Sequence, residues 1–154
     1  MKKIKVVAAF LVFVCCIVFS SCGAKKEPIK MDFSSEKYGT IETGDLKLRT
    51  GDLLSVTQNG TVVVVKAKIQ SNLTNKMTID QNFSNVDDLI QNHGFDTCTE
   101  LQYWAVADTN VGESKVISFT LDKASIDGIK SGSIVWTQLQ ERAIDLWILP
   151  SLRE

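Results

Sequence analysis

The feature that most constrains this chain is an Asn-Gly pair, Asn59-Gly60, set between two runs of apolar and β-branched residues. Asn-Gly readily occupies the two positive-φ positions of a type I′ turn, a tight connection between antiparallel strands. The pattern therefore predicts a β-hairpin closed by Gln58 and Thr61. In the second strand, one set of alternate residues is apolar throughout and is expected to face the core: Val63, Val65, Ala67 and Ile69.

A first short helix is predicted after the hairpin. Ser84 or Asn85 is expected to cap it, because both side chains accept hydrogen bonds from free backbone N–H groups. Asp87 and Asp88 would then lie in the first turn, near the positive end of the helix dipole. Gly94 is expected to end this helix.

Two further strands and a second short helix follow. The strands are predicted at 101–107 and 115–121, where Ile117, Phe119 and Leu121 alternate with Val116, Ser118 and Thr120. The helix is expected to begin at Asp122 and to end before Gly132. Its buried side is predicted to contain Ala124, Ile126 and Ile129.

This order of elements predicts one small α+β domain. We expect a mainly antiparallel sheet with two short helices on one side, and the segments 134–139 and 144–149 fit either strand or helix. The alternative is an immunoglobulin-like β-sandwich in which both short helices are loops. With 44% hydrophobic and 23% charged residues, the composition is typical of a packed globular chain.

The first residues have a different character from the rest. Lys2, Lys3 and Lys5 precede an uncharged apolar run at 6–19. A helix needs about 20 apolar residues to cross the hydrocarbon layer, so this run is short for a permanent membrane span. A basic segment followed by a short apolar run is typical of an export signal.

The export signal ends in Phe19-Ser20-Ser21-Cys22-Gly23, which resembles the lipobox of bacterial lipoproteins. The resemblance covers residues 1–22, and Phe19 departs from the aliphatic residue usual at its position. It implies that residues 1–21 are a signal peptide removed by signal peptidase II, and that Cys22 receives a diacylglyceryl group. Because two acyl chains hold a protein stably on a bilayer, the mature chain would be anchored outside the cytoplasm.

Signal removal changes both the cysteine inventory and the charge. Cys15 and Cys16 leave with the signal and Cys22 is acylated, which leaves Cys98 as the one thiol and excludes an intramolecular disulfide. Loss of three lysines leaves 14 basic and 18 acidic side chains, a net charge of −4. Nucleic acid is therefore not an expected partner, since phosphate binding needs a basic surface.

The mature chain is predicted to have two parts. Residues 22–45 are polar, contain Pro28 and show no sustained periodicity, and we interpret them as the lipidated N-terminus and a flexible tether. Residues 46–154 are expected to form the globular domain.

Cys98 and His93 are the two residues that most resemble a catalytic pair. A thiolate nucleophile needs a nearby base, and His93 is the one histidine of the chain. No cysteine-enzyme signature surrounds them, so we expect a buried thiol beside an incidental histidine and assign no catalytic residue.

No metal site or cofactor is predicted either. The segment 108–113 contains Asp108, Asn110 and Gly112, but position twelve of the corresponding calcium loop would be Phe119 instead of glutamate. Turn chemistry explains these residues. One histidine and one spare cysteine are also too few for a zinc site.

The aromatic residues are a less specific indication of function. Tyr103 and Trp104 are neighbours on one predicted strand, so one should face the core and the other should face solvent or a helix. Trp136 and Trp147 lie in the terminal segments. Core packing is the commoner use of such rings, while stacking on cell-wall glycan is the alternative.

Together these patterns predict a lipid-anchored binding or interaction module of a bacterial cell envelope. A protein of the envelope is the expected partner, in addition to the membrane that holds the lipid on Cys22. The alternatives are an immunity or exclusion lipoprotein, and a small thiol-dependent or hydrolytic envelope enzyme. The lack of a catalytic signature makes the enzyme the least favoured of the three.

Overall fold

A computed structural model of the chain describes residues 27–71, 74–110 and 112–153. Within these residues the strands are β1 (Lys37–Thr40), β2 (Asp52–Gly60), β3 (Val62–Lys68), β4 (Glu100–Thr109), β5 (Gly112–Asp122) and β6 (Ile144–Ile148). The helices are α1 (Asn75–Asn92), α2 (Lys123–Ser131) and the single-turn α3 (Leu139–Arg142).

The six strands form one sheet in sequence order, and every neighbouring pair is antiparallel except β3 and β4. The predicted α+β class with a mainly antiparallel sheet is therefore confirmed. Because the strands form one sheet and not two, the sandwich alternative is wrong. The expectation of two short helices is also wrong in detail, since α1 has 18 residues and α3 is additional.

The hairpin of β2 and β3 is confirmed, but its turn lies one residue later than predicted. Asn59 pairs with Val62, so the loop consists of Gly60 and Thr61. Gly60 has a φ of 68°, whereas neither Asn59 nor Thr61 has a positive φ. A type I′ turn needs two positive-φ residues, while type II′ needs one glycine at the first loop position. The turn therefore has the type II′ pattern, and the type I′ interpretation is wrong.

The alternation predicted for β3 is confirmed. Val63, Val65 and Ala67 are completely buried, and Ile69 packs against the core from its edge. The opposite set of side chains remains partly accessible to solvent. One face of this strand is therefore buried and the other is not.

Helix α1 begins well before the predicted Ser84 or Asn85. Its N-cap is Thr74, whose side chain accepts a hydrogen bond from the N–H of Met77. Asp87 and Asp88 consequently lie in the second half of the helix and not in its first turn. The C-terminal end is as predicted, because His93 is the C-cap and Gly94 follows with a φ of 80°.

The early turns of α1 were missed because polar side chains share its buried face. Asn82 and Asn85 are almost completely buried. The hydroxyl of Tyr103 donates to Asn82 Oδ1 at 2.9 Å, and Asn85 exchanges hydrogen bonds of 2.8 and 3.0 Å with the backbone of Thr50. A buried polar group without a partner costs about 1–3 kcal/mol, so these bonds are what allows the amides to lie in the core.

The chain between β3 and β4 forms a crossover, which parallel neighbouring strands require, and this crossover places α1 on one face of the sheet. Phe83 of α1 contacts Phe119 of β5 with ring centroids 4.7 Å apart, and Tyr103 of β4 stacks on Phe119 at 5.3 Å. Ile126 and Ile129 of α2 are buried in the same core. The core therefore lies between the sheet and one layer of helices.

Helix α2 has the predicted ends. Asp122 is the N-cap and accepts a hydrogen bond from Ser125 N at 2.9 Å, while Gly132 is the C-cap with a φ of 76°. Its predicted buried side is correct for Ile126 and Ile129. Ala124 is exposed and Ser125 takes the buried place beside Ile126, so that part of the prediction is wrong.

The packed body begins before the predicted boundary at residue 46. Met31 N donates to His93 O at 2.8 Å, and Phe33 is buried against Phe95 with centroids 4.8 Å apart. Strand β1 then adds to the edge of the sheet beside β2. Residues from Ile29 onward therefore belong to the fold. The segment has an apolar side chain at every second position, at 29, 31 and 33, and these side chains anchor it.

The C-terminal segment combines the two structures that its sequence allowed. A 3-10 turn at Trp136–Gln138 leads into α3, and β6 covers most of the apolar segment at 144–149. Trp136 is partly buried against the core. Strand β6 completes the sheet beside β5.

Candidate functional site

Cys98 and His93 do not form a catalytic pair in the structure. The Cys98 side chain is completely buried and its Sγ donates to Phe95 O at 3.1 Å. Burial raises the pKa of the thiol to about 12, so it is protonated at neutral pH. His93 Nδ1 lies 2.8 Å from Ile29 O, and its Nε2 lies 3.5 Å from Asp88. Each residue therefore has a structural partner, and no hydrogen bond joins the two.

Asp88 and Asp108, two of the acidic residues considered in the sequence, also have structural partners. Asp88 forms an ion pair with Arg49 at 2.9 Å, and burial raises the pKa of its neighbour Asp87. Asp108, in the segment 108–113 that was compared with a calcium loop, forms an ion pair with Lys68 at 2.6 Å. Across the described ranges, no group of three or more potential metal ligands is found.

Cys22 and the whole lipobox lie outside the described residues, which begin at Glu27. The lipidation site therefore stays a prediction from the sequence. In the part of the chain that the structure does describe, no helix has the length and apolarity needed to cross a bilayer.

The feature that most resembles a binding surface is the sheet face opposite the helices, here called the open face. Its centre contains side chains of intermediate exposure from four adjacent strands: Thr57, Val64, Gln102 and Thr120. Tyr38 at one edge is 74% exposed. No helix within the described ranges covers this face, so it is accessible to a partner.

Two tryptophans stand on the open face at its other side. Trp104 of β4 pairs with Ser118 of β5, and Ser118 pairs with Trp147 of β6. The two indoles therefore lie on one row across three neighbouring strands. Trp104 is 43% exposed and Trp147 is 37% exposed, whereas tryptophan side chains are on average highly buried.

Lys115 links these two rings. Its Nζ lies 5.9 Å from the ring centroid of Trp104 and 5.4 Å from that of Trp147, within the range of cation–π contacts. Trp104, Lys115 and Trp147 are hereafter called the Trp–Lys cluster. The cluster offers two apolar ring surfaces and one positive charge at the same place.

Lys115 reaches the open face through a β-bulge. Ala105 pairs with Ile117 and Val106 pairs with Lys115, so Val116 has no partner across the pair. Strict alternation would place Lys115 on the core side with Ile117. The extra residue turns the Lys115 side chain to the open face. No pattern in the sequence predicts this bulge.

The other lysines near the cluster are already neutralised. Lys66, which pairs with Trp104 across β3 and β4, forms an ion pair with Glu113. Lys68 pairs with Asp108, and this contact raises the pKa of Lys68. For Lys115 the described part of the chain provides no carboxylate partner. The cluster therefore presents an uncompensated positive charge.

A second concave surface lies at the N-terminal end of α1. It has a volume of about 580 Å³ and an apolar floor that includes Ile79, Leu146 and Ile148. Two polar groups at its rim are engaged within the protein, since Asn75 Nδ2 donates to Ser151 O and Lys76 pairs with Asp80. Gln140 and Arg153 complete the polar rim. The described lining of this cavity contains no aromatic ring, whereas the Trp–Lys cluster offers two.

The prediction for Tyr103 and Trp104 is confirmed: Tyr103 is completely buried and Trp104 faces solvent. Strand alternation was the signal that found Trp104. Trp147 was identified as a candidate without an orientation, and Lys115 was missed because of the bulge.

Comparison with known proteins adds no further assignment. The chain matches no protein-family model, no curated protein sequence and no solved structure.

Proposed function

We propose that this protein is a lipid-anchored binding module of a bacterial cell envelope, and that it holds its partner on the open face. The lipobox-like segment ending at Cys22 supports the anchor and the location. The observation that carries the binding role is the exposure of Trp104 and Trp147 on the side of the sheet without helices. Large aromatic side chains are enriched where proteins bind partners, because they bury much apolar area at a small cost in entropy.

A binding role fits the structure better than catalysis. Cys98, the one thiol of the mature chain, is buried and protonated. The ring nitrogens of His93, the one histidine, contact the backbone oxygen of Ile29 and the carboxylate of Asp88. A nucleophilic mechanism would need an accessible thiolate beside a base. Neither condition is met by Cys98.

The anchor leaves the domain little freedom to move away from the membrane. Cys22 is seven residues before Ile29, where the packed body begins, and seven residues span at most about 25 Å. This distance is comparable to the diameter of a small domain. The partner is therefore an envelope component in the layer next to the membrane.

The anchor is tested by replacing Cys22. The Cys22→Ala variant is expected to accumulate as an uncleaved precursor without incorporated fatty acid. The matched control is Cys98→Ala, which removes a buried cysteine and should keep processing and lipid labelling. Intact-mass measurement showing an unmodified wild-type chain that retains Met1 would contradict the anchor.

The binding surface is tested by retention on envelopes. Solubilised mature protein is mixed with detergent-washed envelopes of the cells that produce it, and the bound fraction is measured. We expect a Trp104→Ala/Trp147→Ala variant to lose retention. The control is Val135→Ala, which truncates a residue of similar exposure (49%) that precedes the turn packed on α1. Equal retention of all three proteins would contradict the assignment of the open face.

A further inference from the structure

We propose that the Trp–Lys cluster is a subsite for an acidic glycan, a chain of pyranose rings in which some rings bear a carboxylate. This inference rests on the proposed binding function and names the chemistry of its ligand.

The spacing of the strands that carry the two indoles fits a linear sugar chain. Trp104 and Trp147 are separated by one intervening strand, and two strand spacings amount to about 10 Å. This is close to the length of two β-1,4-linked pyranose rings. Ser118 between them is small, and Lys115 Nζ lies 5.9 and 5.4 Å from the two ring centroids, so a chain that crosses from one indole to the other passes next to this amine. Each indole can then stack on the apolar C–H face of one sugar.

The charge of the cluster selects for an acidic chain. Lys66 and Lys68 already have carboxylate partners, whereas Lys115 contacts the two rings and has no carboxylate partner among the described residues. If two sugars separated by one ring stack on the two indoles, the ring between them lies near Lys115. A carboxylate on that middle ring could then pair with the Lys115 amine. Two rings and one cation therefore match a disaccharide repeat with a single negative charge.

The charges elsewhere on the open face favour a narrow chain over an anionic bilayer. Glu100 shares the open face of β4 with Gln102 and Trp104 and lies at the opposite end of the strand from Lys115. The mature protein also has a net charge of −4. A flat anionic surface laid over the whole face would meet the Glu100 carboxylate, whereas a single chain along the Trp104–Trp147 row would not.

The inference is tested with two matched oligosaccharides. The mature protein in nanodiscs of neutral lipid is titrated calorimetrically with a peptide-free cell-wall tetrasaccharide, in which every second ring bears a carboxylate. The control ligand is a chitin tetrasaccharide, which has the same backbone and N-acetyl groups without the carboxylates. We expect measurable binding of the acidic ligand and at least about threefold weaker binding of the neutral one.

Single variants then assign the binding to the cluster. Trp104→Ala and Trp147→Ala are each expected to weaken the Kd about tenfold, because each removes one stacking surface. Lys115→Gln should weaken binding of the acidic ligand alone, which makes the two oligosaccharides equivalent. The control is Val135→Ala, which truncates an exposed side chain (49%) outside the open face and should leave the Kd unchanged.

Three outcomes would overturn the inference: no binding of the acidic tetrasaccharide at millimolar concentration, equal Kd values for wild type and both tryptophan variants, or tight binding to anionic vesicles that depends on the same three residues. The proposed function is judged separately by lipid labelling and by envelope retention. If both of those hold while the tetrasaccharide does not bind, only the glycan is excluded, and the partner of the open face is of another class.

Discussion

The two faces of the sheet differ in how completely the chain covers them. On the helix side, Tyr103 and Phe119 are buried in a continuous core with α1 and α2. On the open face, their immediate neighbours Trp104 and Thr120 remain accessible. Because adjacent residues on the same strands have such different surroundings, the covered face accounts for stability and leaves the open face free to bind a partner.

The largest expected difference between the faces is in the response to truncation. Phe119→Ala should lower the free energy of unfolding by about 3–5 kcal/mol, since it leaves a cavity between Phe83 and Tyr103. The matched control is Thr120→Ala on the open face, with an expected loss below about 1 kcal/mol. Urea denaturation measures both values. Similar losses for the two variants would show that the faces do not differ in this way.

The second effect is a loss of stability at alkaline pH through Cys98. Its folded-state pKa is raised from 9.0 to about 12, so the unfolded chain ionises first as the pH rises. The stabilisation is complete below pH 9 and declines between pH 9 and 12, by about 1.4 kcal/mol per pH unit. Cys98→Ala should flatten the pH dependence of unfolding just above pH 9. Burial also raises the pKa of Tyr103, which adds a similar loss at higher pH.

A smaller effect is expected where the N-terminal segment joins the covered side. A Cβ at Gly94 would lie 2.0 Å from Met31 O, so Gly94→Ala should destabilise the protein by about 2 kcal/mol or more. The control is Gly112→Ala. Gly112 also has a positive φ, of 107°, but a Cβ there would meet nothing within 4 Å. If both variants lost the same stability, the packing of residues 29–33 against α1 would be in doubt.

The smallest effect on stability is expected at the Trp–Lys cluster. Trp104→Ala removes one cation–π contact at a partly exposed site, which is worth about 0.5–1 kcal/mol. The same variant should nevertheless lose most envelope retention. Thermal unfolding and retention, measured on one preparation, separate the two roles. A loss of retention that merely followed a large loss of stability would assign Trp104 to the fold.

Sequence reasoning succeeded where one local pattern decides the structure. Alternation identified the buried set of β3 and the opposite orientations of Tyr103 and Trp104, and capping residues located both ends of α2. It failed where tertiary contacts decide. The start of α1 depends on buried asparagines whose partners lie on β4 and in the segment before β2.

The candidate site shows the same division. Trp104 was located by alternation, whereas the position of Lys115 depends on a bulge at Val116 that only the pairing with β4 reveals. The packing of residues 29–33 was also missed, because their apolar side chains are spaced among polar ones and their partners lie beyond α1. In both cases the deciding contact is distant in sequence.

Photo-crosslinking in the producing cells tests most directly whether the open face holds a partner. A photoreactive amino acid replaces Gln102, which lies beside Trp104 on the open face, or Val135 on the helix side, and the adducts are compared after irradiation. We expect an envelope component joined to the protein from position 102 and none from position 135. Adducts from position 135 alone, or equal adducts from both positions, would contradict this expectation.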